Sequence, residues 1–181
     1  MRYLIVMAVC IGVLGGCATI PEEQCAKVDW YELGVTDGRA GYAADRLDRH
    51  REACAGVKIV PDALRYGEGR RVGLVDYCRP ENAVREGLAG HTYRDVCNAT
   101  FKRIYQAAYD VNALKNRINS NLDEVSNKEA ELREKKTSDS RRKELRSDIR
   151  ELDRRRESLR DDLFQAEREL DRARQLTSEK W

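Results

Sequence analysis

Apolar residues recur every seven positions through the second half of the chain. Val111, Ile118, Val125 and Leu132 form one series, with Leu114 in the d-like position between them. A second series places Leu145, Leu152, Leu159, Ala166 and Ala173 in one position and Ile149, Leu163 and Leu170 in the other, with Arg156 as its polar exception. No apolar residue lies between Leu132 and Leu145, and the two series are out of phase by three residues. One continuous coil would absorb that offset only as a stammer. Thr137-Ser138-Asp139-Ser140 supplies turn and capping chemistry in the gap. The pattern predicts a coiled-coil antiparallel hairpin over residues 98–181, with arms of about 35 residues and about 50 Å. The rival is one helix of roughly 110 Å paired with copies of itself.

Before Cys97 the pattern is shorter and punctuated by glycine. Asp29 is a good N-cap, Glu32 completes a capping box, and Val28 with Leu33 makes a hydrophobic staple, so a helix begins at Trp30. Gly34, Gly38 and Gly41 follow on one face. An interior helical glycine costs about 1 kcal/mol relative to alanine, so the stripe predicts a second backbone packed closely against it. A ligand lying on bare backbone is the alternative. Gly41 suits a helix end, after which Tyr42 to Cys54 reads as a short helix with Ala44 and Leu47 inward. Pro61 and the cap residue Asp62 open a third helix through Leu64, Gly69, Gly73 and Leu74 to Tyr77 and Cys78. Its glycines echo the first stripe. From Arg79 to Val96 no period persists past Pro80, Gly87 and Gly90, so an irregular excursion with at most one helical turn is expected there.

The first residues carry a different message. Arg2, an apolar run from Tyr3 to Val13 and Leu14-Gly15-Gly16-Cys17 form a secretory signal over 1–16 ending in a lipobox-like site. The run is shorter than the ~20 residues a membrane-spanning helix needs. Cleavage and acylation of Cys17 would anchor the mature chain to a membrane by its N-terminal lipid. Ala18, a non-aspartate after that cysteine, favours a periplasm-facing position on the outer membrane.

Compartment then decides the cysteines. Cys10 leaves with the signal and Cys17 takes the lipid; Cys25, Cys54, Cys78 and Cys97 remain, an even number in an oxidising compartment. Two disulfides are expected. No pair has the close spacing of a zinc site, and no metal or other cofactor is expected. A Cys25–Cys54 bridge requires the chain to reverse at Gly41, since one continuous helix would hold these residues some 35–40 Å apart. A Cys78–Cys97 bridge would close the irregular excursion. Other pairings stay open.

Cys25, Asp29-Trp30, Gly34, Asp37-Gly38, Gly41, His50, Cys54, Pro61-Asp62, Tyr66, Gly69-Arg70, Gly73-Leu74, Tyr77-Cys78, Pro80, Gly87, Gly90, Tyr93 and Val96-Cys97 together resemble the domain-of-unknown-function 2799 family of proteobacterial lipoproteins. The resemblance covers about residues 17 to 100, with Gly67 an extra glycine beside Tyr66. It implies location and architecture, not an activity.

Charge separates two architectures. The net charge of +2 over 181 residues offers no global field to attract nucleic acid, and none is expected as a partner. Low-charge, glycine-rich sequence lies before Cys97 and charge-dense sequence after it. The clusters Arg141-Arg142-Lys143 and Arg154-Arg155-Arg156 have acidic residues three or four positions away, the arrangement of a solvated, salt-bridged face. The fold class expected is all-α: a signal over 1–16, a lipid-anchored, disulfide-stapled helical head over 17–97, and the hairpin.

No catalytic constellation emerges. Cys17 to Cys97 contains no serine, and His50 and His91 are the only histidines, each read as a structural hydrogen-bonding residue. The leading functional expectation is a non-catalytic envelope lipoprotein whose coiled coil meets a protein partner or a second copy. One alternative is a glycan-binding module or enzyme using a surface of Trp30, Asp37, Tyr66, Tyr77 and Tyr93. Another is a spacer between outer membrane and cell wall.

Overall fold

The computed structural model describes residues 19–178, so Cys17 and the signal lie outside the described residues. Among those described every regular element is helical. A short 3-10 helix (Glu22–Lys27) precedes α1 (Trp30–Arg39), α2 (Arg46–Ala53), α3 (Ala63–Tyr77), α4 (Pro80–Leu88), α5 (Ala99–Arg133) and α6 (Asp139–Ser178).

The expected first cap forms: Asp29 accepts from the backbone N–H groups of Tyr31 and Glu32. α1 ends in a Schellman motif, with Gly41 at φ +65°, its N–H donating to Gly38 and that of Tyr42 to Asp37. The chain does reverse there, and Cys25 and Cys54 are bonded at a Cα separation of 5.7 Å. α2 starts later than the pattern suggested, and Ala44 is exposed. Residues 42–45 instead form the irregular connection between α1 and α2.

α1 and α3 run parallel and touch backbone to backbone. A Cβ on Gly34 would sit 2.2 Å from the Tyr66 carbonyl oxygen, and one on Gly69 1.9 Å from that of Tyr31. Gly38 and Gly73 repeat the contact a turn further along. The paired stripes therefore exist to let two helices approach without side chains between them.

The segment after Arg79 is more regular than the one helical turn its pattern predicts. α4 is a nine-residue helix, because Pro80 occupies its first turn, where a missing N–H costs nothing. Gly90, at φ +71°, ends it in a second Schellman motif. Gly87 is no breaker either: it lets α4 lie against α5, where a Cβ would meet the Tyr105 carbonyl oxygen at 2.5 Å. The Cys78–Cys97 bond closes this segment, at a Cα separation of 5.4 Å.

α5 and α6 form the antiparallel hairpin, which excludes the single long helix. Lys115 pairs with Glu167, Lys128 with Asp148 and Arg141 with Glu131, so partners converge toward the turn. The hairpin is not a separate body. Tyr77 and Ala83 share one core with Phe101, Ile104, Ala108 and Val111 of α5 and with Leu170 and Ala173 of α6. A smaller core at the other end of the head joins Ile20 to Cys25 and Cys54.

Candidate functional site

Asp37 is placed on the inner face of α1 by the same glycine-lined packing that draws α3 close, and it is buried there. Its Oδ2 accepts from His50 Nε2 at 2.6 Å and from the Tyr66 hydroxyl at 2.8 Å. The other ring nitrogen, His50 Nδ1, meets the Thr19 hydroxyl at 2.7 Å. Arg46 Nε lies 4.0 Å from Asp37 Oδ1. Three helices of the head thus meet on one carboxylate, and the segment before Glu22 joins them through His50.

Burial pushes the Asp37 carboxyl upward, but hydrogen bonds from His50 and Tyr66 and the charges of His50 and Arg46 outweigh it. The net effect holds Asp37 below the usual carboxylate range. Burial and the adjacent carboxylate push the Tyr66 phenol well above its ordinary value. Hydroxyl, imidazole and carboxylate in sequence are the parts of a nucleophilic relay. Yet His50 is 1% and Tyr66 2% exposed, and the half-buried Thr19 hydroxyl donates to the Arg49 carbonyl rather than to the ring. The arrangement is a buried polar network in which Asp37, His50 and Tyr66 satisfy one another and Arg46 Nε is left without a hydrogen-bond partner, and it fixes how four segments pack.

The proposed binding surface does not assemble. Asp37, Tyr66 and Tyr77 are buried, and Trp30 packs partly buried against the Ile20 core. Tyr77 and Tyr93 stack on Phe101 with ring centres 5.7 Å away in each case, and Tyr93 continues onto Tyr105 at 5.1 Å. The Tyr93 hydroxyl also bonds the backbone of Cys97. These rings belong to the core because α5, assigned to the coil by its heptads, supplies Phe101 and Tyr105 to the head.

His91 is exposed and pairs with Glu86 at 3.0 Å, while the Tyr105 hydroxyl donates to its carbonyl. Among the described residues no group of three or more His, Cys, Asp or Glu side chains gathers as a metal site would. Nor is any described helix long and apolar enough to cross a membrane. The basic cluster at the turn has a defined task. Arg141 forks onto Glu131 at 2.7 and 3.0 Å, and Arg142 donates to the carbonyls of Leu132, Glu134 and Thr137.

Thr19, Arg46 and Arg94 carried no readable signal. Thr19 stands outside any period, and the two arginines are surface-type residues, Arg94 meeting neighbours more than fifty positions away. His50 and Asp37 were visible as candidates but not as a pair.

A family model described as "Protein of unknown function (DUF2799)" matches residues 29–112. The match opens at the cap of α1 and closes where Asn112 of α5 donates to the Leu88 carbonyl at the end of α4. It therefore includes the stretch of α5 that belongs to the head's core. No curated protein and no solved structure matches the chain.

Proposed function

We propose, from the match of residues 29–112 to the DUF2799 family model, that the chain is a non-catalytic envelope lipoprotein. In this reading Cys17 carries the lipid, the head sits beside the outer membrane facing the periplasm, and the hairpin reaches toward a protein partner or a second copy.

The observation that carries the non-catalytic part is the buried Asp37–His50–Tyr66 network, whose imidazole and phenol are closed to substrate, while the head's other imidazole–carboxylate pair, His91–Glu86, lies on the surface outside it. Support for an interaction role comes from the hairpin, whose helices of 35 and 40 residues extend about 50 to 60 Å. Leu122 and Phe164 are exposed on it, at 43% and 56%.

Photo-crosslinking probes at Leu122 and Phe164 in intact cells should capture one discrete protein or a dimer. Diffuse products matching those from probes on the outer face of α3 would refute the interaction role. Mass spectrometry of the mature N-terminus tests the anchor separately, because an unacylated Cys17 removes it.

A further inference from the structure

Two guanidiniums stand over the ring of Tyr42, in the turn between α1 and α2. Arg46 lies 4.3 Å and Arg94 4.8 Å from the ring centre. Arg46 opens α2, whereas Arg94 comes from the loop after α4 that the Cys78–Cys97 bond closes. With Arg49, three positions further along α2, they line an open cleft of about 370 Å³ completed by Tyr42, Ala43 and Asp45. A cleft of this size falls in the range of small-ligand sites.

Its charges are unbalanced. Arg49 is paired with Asp45 at 3.1 Å. Among the described residues the ion-pair partner of Arg46 is Asp37, at 4.0 Å, and that carboxylate is already engaged by His50 and Tyr66. Arg94 donates from Nη1 to the carbonyls of Ala40 and Gly41, at 3.3 and 3.4 Å, and no described carboxylate pairs with it. A guanidinium has five N–H donors, so both retain donors with no acceptor among the described residues. The platform beneath them is fixed, because Arg70 holds the Tyr42 carbonyl through Nε at 3.1 Å and Nη2 at 2.8 Å. Cations held in place before a ligand arrives lose little freedom on binding it.

We propose that this cleft binds a phosphoryl group, gripped by Arg46 and Arg94 and further neutralised by Arg49. The planar fork of arginine matches a tetrahedral oxyanion through paired hydrogen bonds. A phospholipid headgroup and a free phosphate share this chemistry. Position favours the headgroup: the Thr19 hydroxyl donates to the Arg49 carbonyl at 3.3 Å, and Cys17 stands only two positions earlier in the sequence. That choice of source rests on the anchored reading above; the phosphoryl site itself does not.

The test is calorimetric titration of the purified full chain in detergent, at constant ionic strength, with inorganic phosphate and with a short-chain phosphatidylglycerol. Saturable binding is expected, weakened about tenfold or more by Arg94→Gln. Arg94→Lys should recover part of it, and Arg154→Gln on the hairpin should leave it unchanged. A phosphatidylglycerol affinity about tenfold above that of inorganic phosphate supports the headgroup source. Equal affinities overturn that source and keep the site. Absence of saturable binding, or binding indifferent to Arg94→Gln in a variant whose melting temperature is unaltered, overturns the site. An unacylated Cys17 alongside intact phosphate binding removes the anchor alone, so the two failures are told apart.

Discussion

Arg156 donates from Nη1 to Oδ1 of Asn121 at 3.4 Å, so the polar exception in the seam of α6 meets a polar exception in the seam of α5. Asn121 also donates from Nδ2 to the Leu152 carbonyl at 3.1 Å and is buried. A buried asparagine in such a seam fixes register at a cost in stability. Asn121→Leu should therefore raise hairpin stability by about 1 kcal/mol while loosening its pairing. Denaturant melts would show the gain, and sedimentation should reveal oligomers absent from the native chain. A lower midpoint with no new oligomer would sink this account.

The heptads made the hairpin legible because each arm buries a stripe against the other, and such periodicity needs only local spacing. The turn was legible for the same reason, as a gap in that spacing. The base of the hairpin was not. Phe101, Tyr105 and Ala108 obey a helical period but face the head, and nothing local distinguishes a residue packed on the head from one packed in the coil. α4 was missed because Pro80 and Gly87 read as breakers, whereas one occupies a first turn and the other a helix contact. The Asp37–His50–Thr19 chain was beyond reach, since it depends on three segments meeting.

Asp37 links stability to acid. Its folded pKa is depressed, so the stability it contributes is fully present above the unfolded value of about 3.9 and is lost as pH falls through the lower folded value. Asp37→Asn should cost about 2 to 3 kcal/mol near neutral pH, by removing charge-assisted hydrogen bonds with His50 and Tyr66. Its melting temperature should then fall less steeply than that of the native chain below about pH 4. Thermal melts between neutral and acid pH measure both effects; identical acid slopes would exclude Asp37 as the titrating group.

Two glycines on α3 should respond to alanine with opposite signs. At Gly69 a Cβ overlaps the Tyr31 carbonyl, so Gly69→Ala must separate α1 from α3 and cost about 3 kcal/mol or more. At Gly67 a Cβ meets nothing within 4 Å, so Gly67→Ala should stabilise the chain by about 0.5 to 1 kcal/mol. Urea midpoints of the two variants decide the matter. A destabilising Gly67→Ala would mean that its bare face has a neighbour.

The disulfides close loops of similar size, with sequence separations of 29 and 19. Removing either pair as a double alanine variant should cost about 3 kcal/mol. A non-reducing peptide map should give Cys25–Cys54 and Cys78–Cys97 and no crossed product. Crossed pairs in the native preparation would contradict the reversal at Gly41.

Arg142 should act locally rather than globally. Its guanidinium donates to Leu132 at 2.5 Å, Glu134 at 2.7 Å and Thr137 at 3.1 Å, satisfying carbonyls that the end of α5 leaves exposed. A lysine at this site carries the charge but lacks the planar fork, so it cannot span the three acceptors together. Arg142→Lys should therefore loosen the last turn of α5 and the first of α6 by about 1 to 2 kcal/mol. The head's core lies at the opposite end of the hairpin and should be unaffected. Hydrogen exchange should accelerate several-fold around residues 130–145, while amides near Ile104 and Ala108 keep their protection. Uniform acceleration along both helices would show instead that the hairpin opens as one cooperative unit, with the turn as its weakest point.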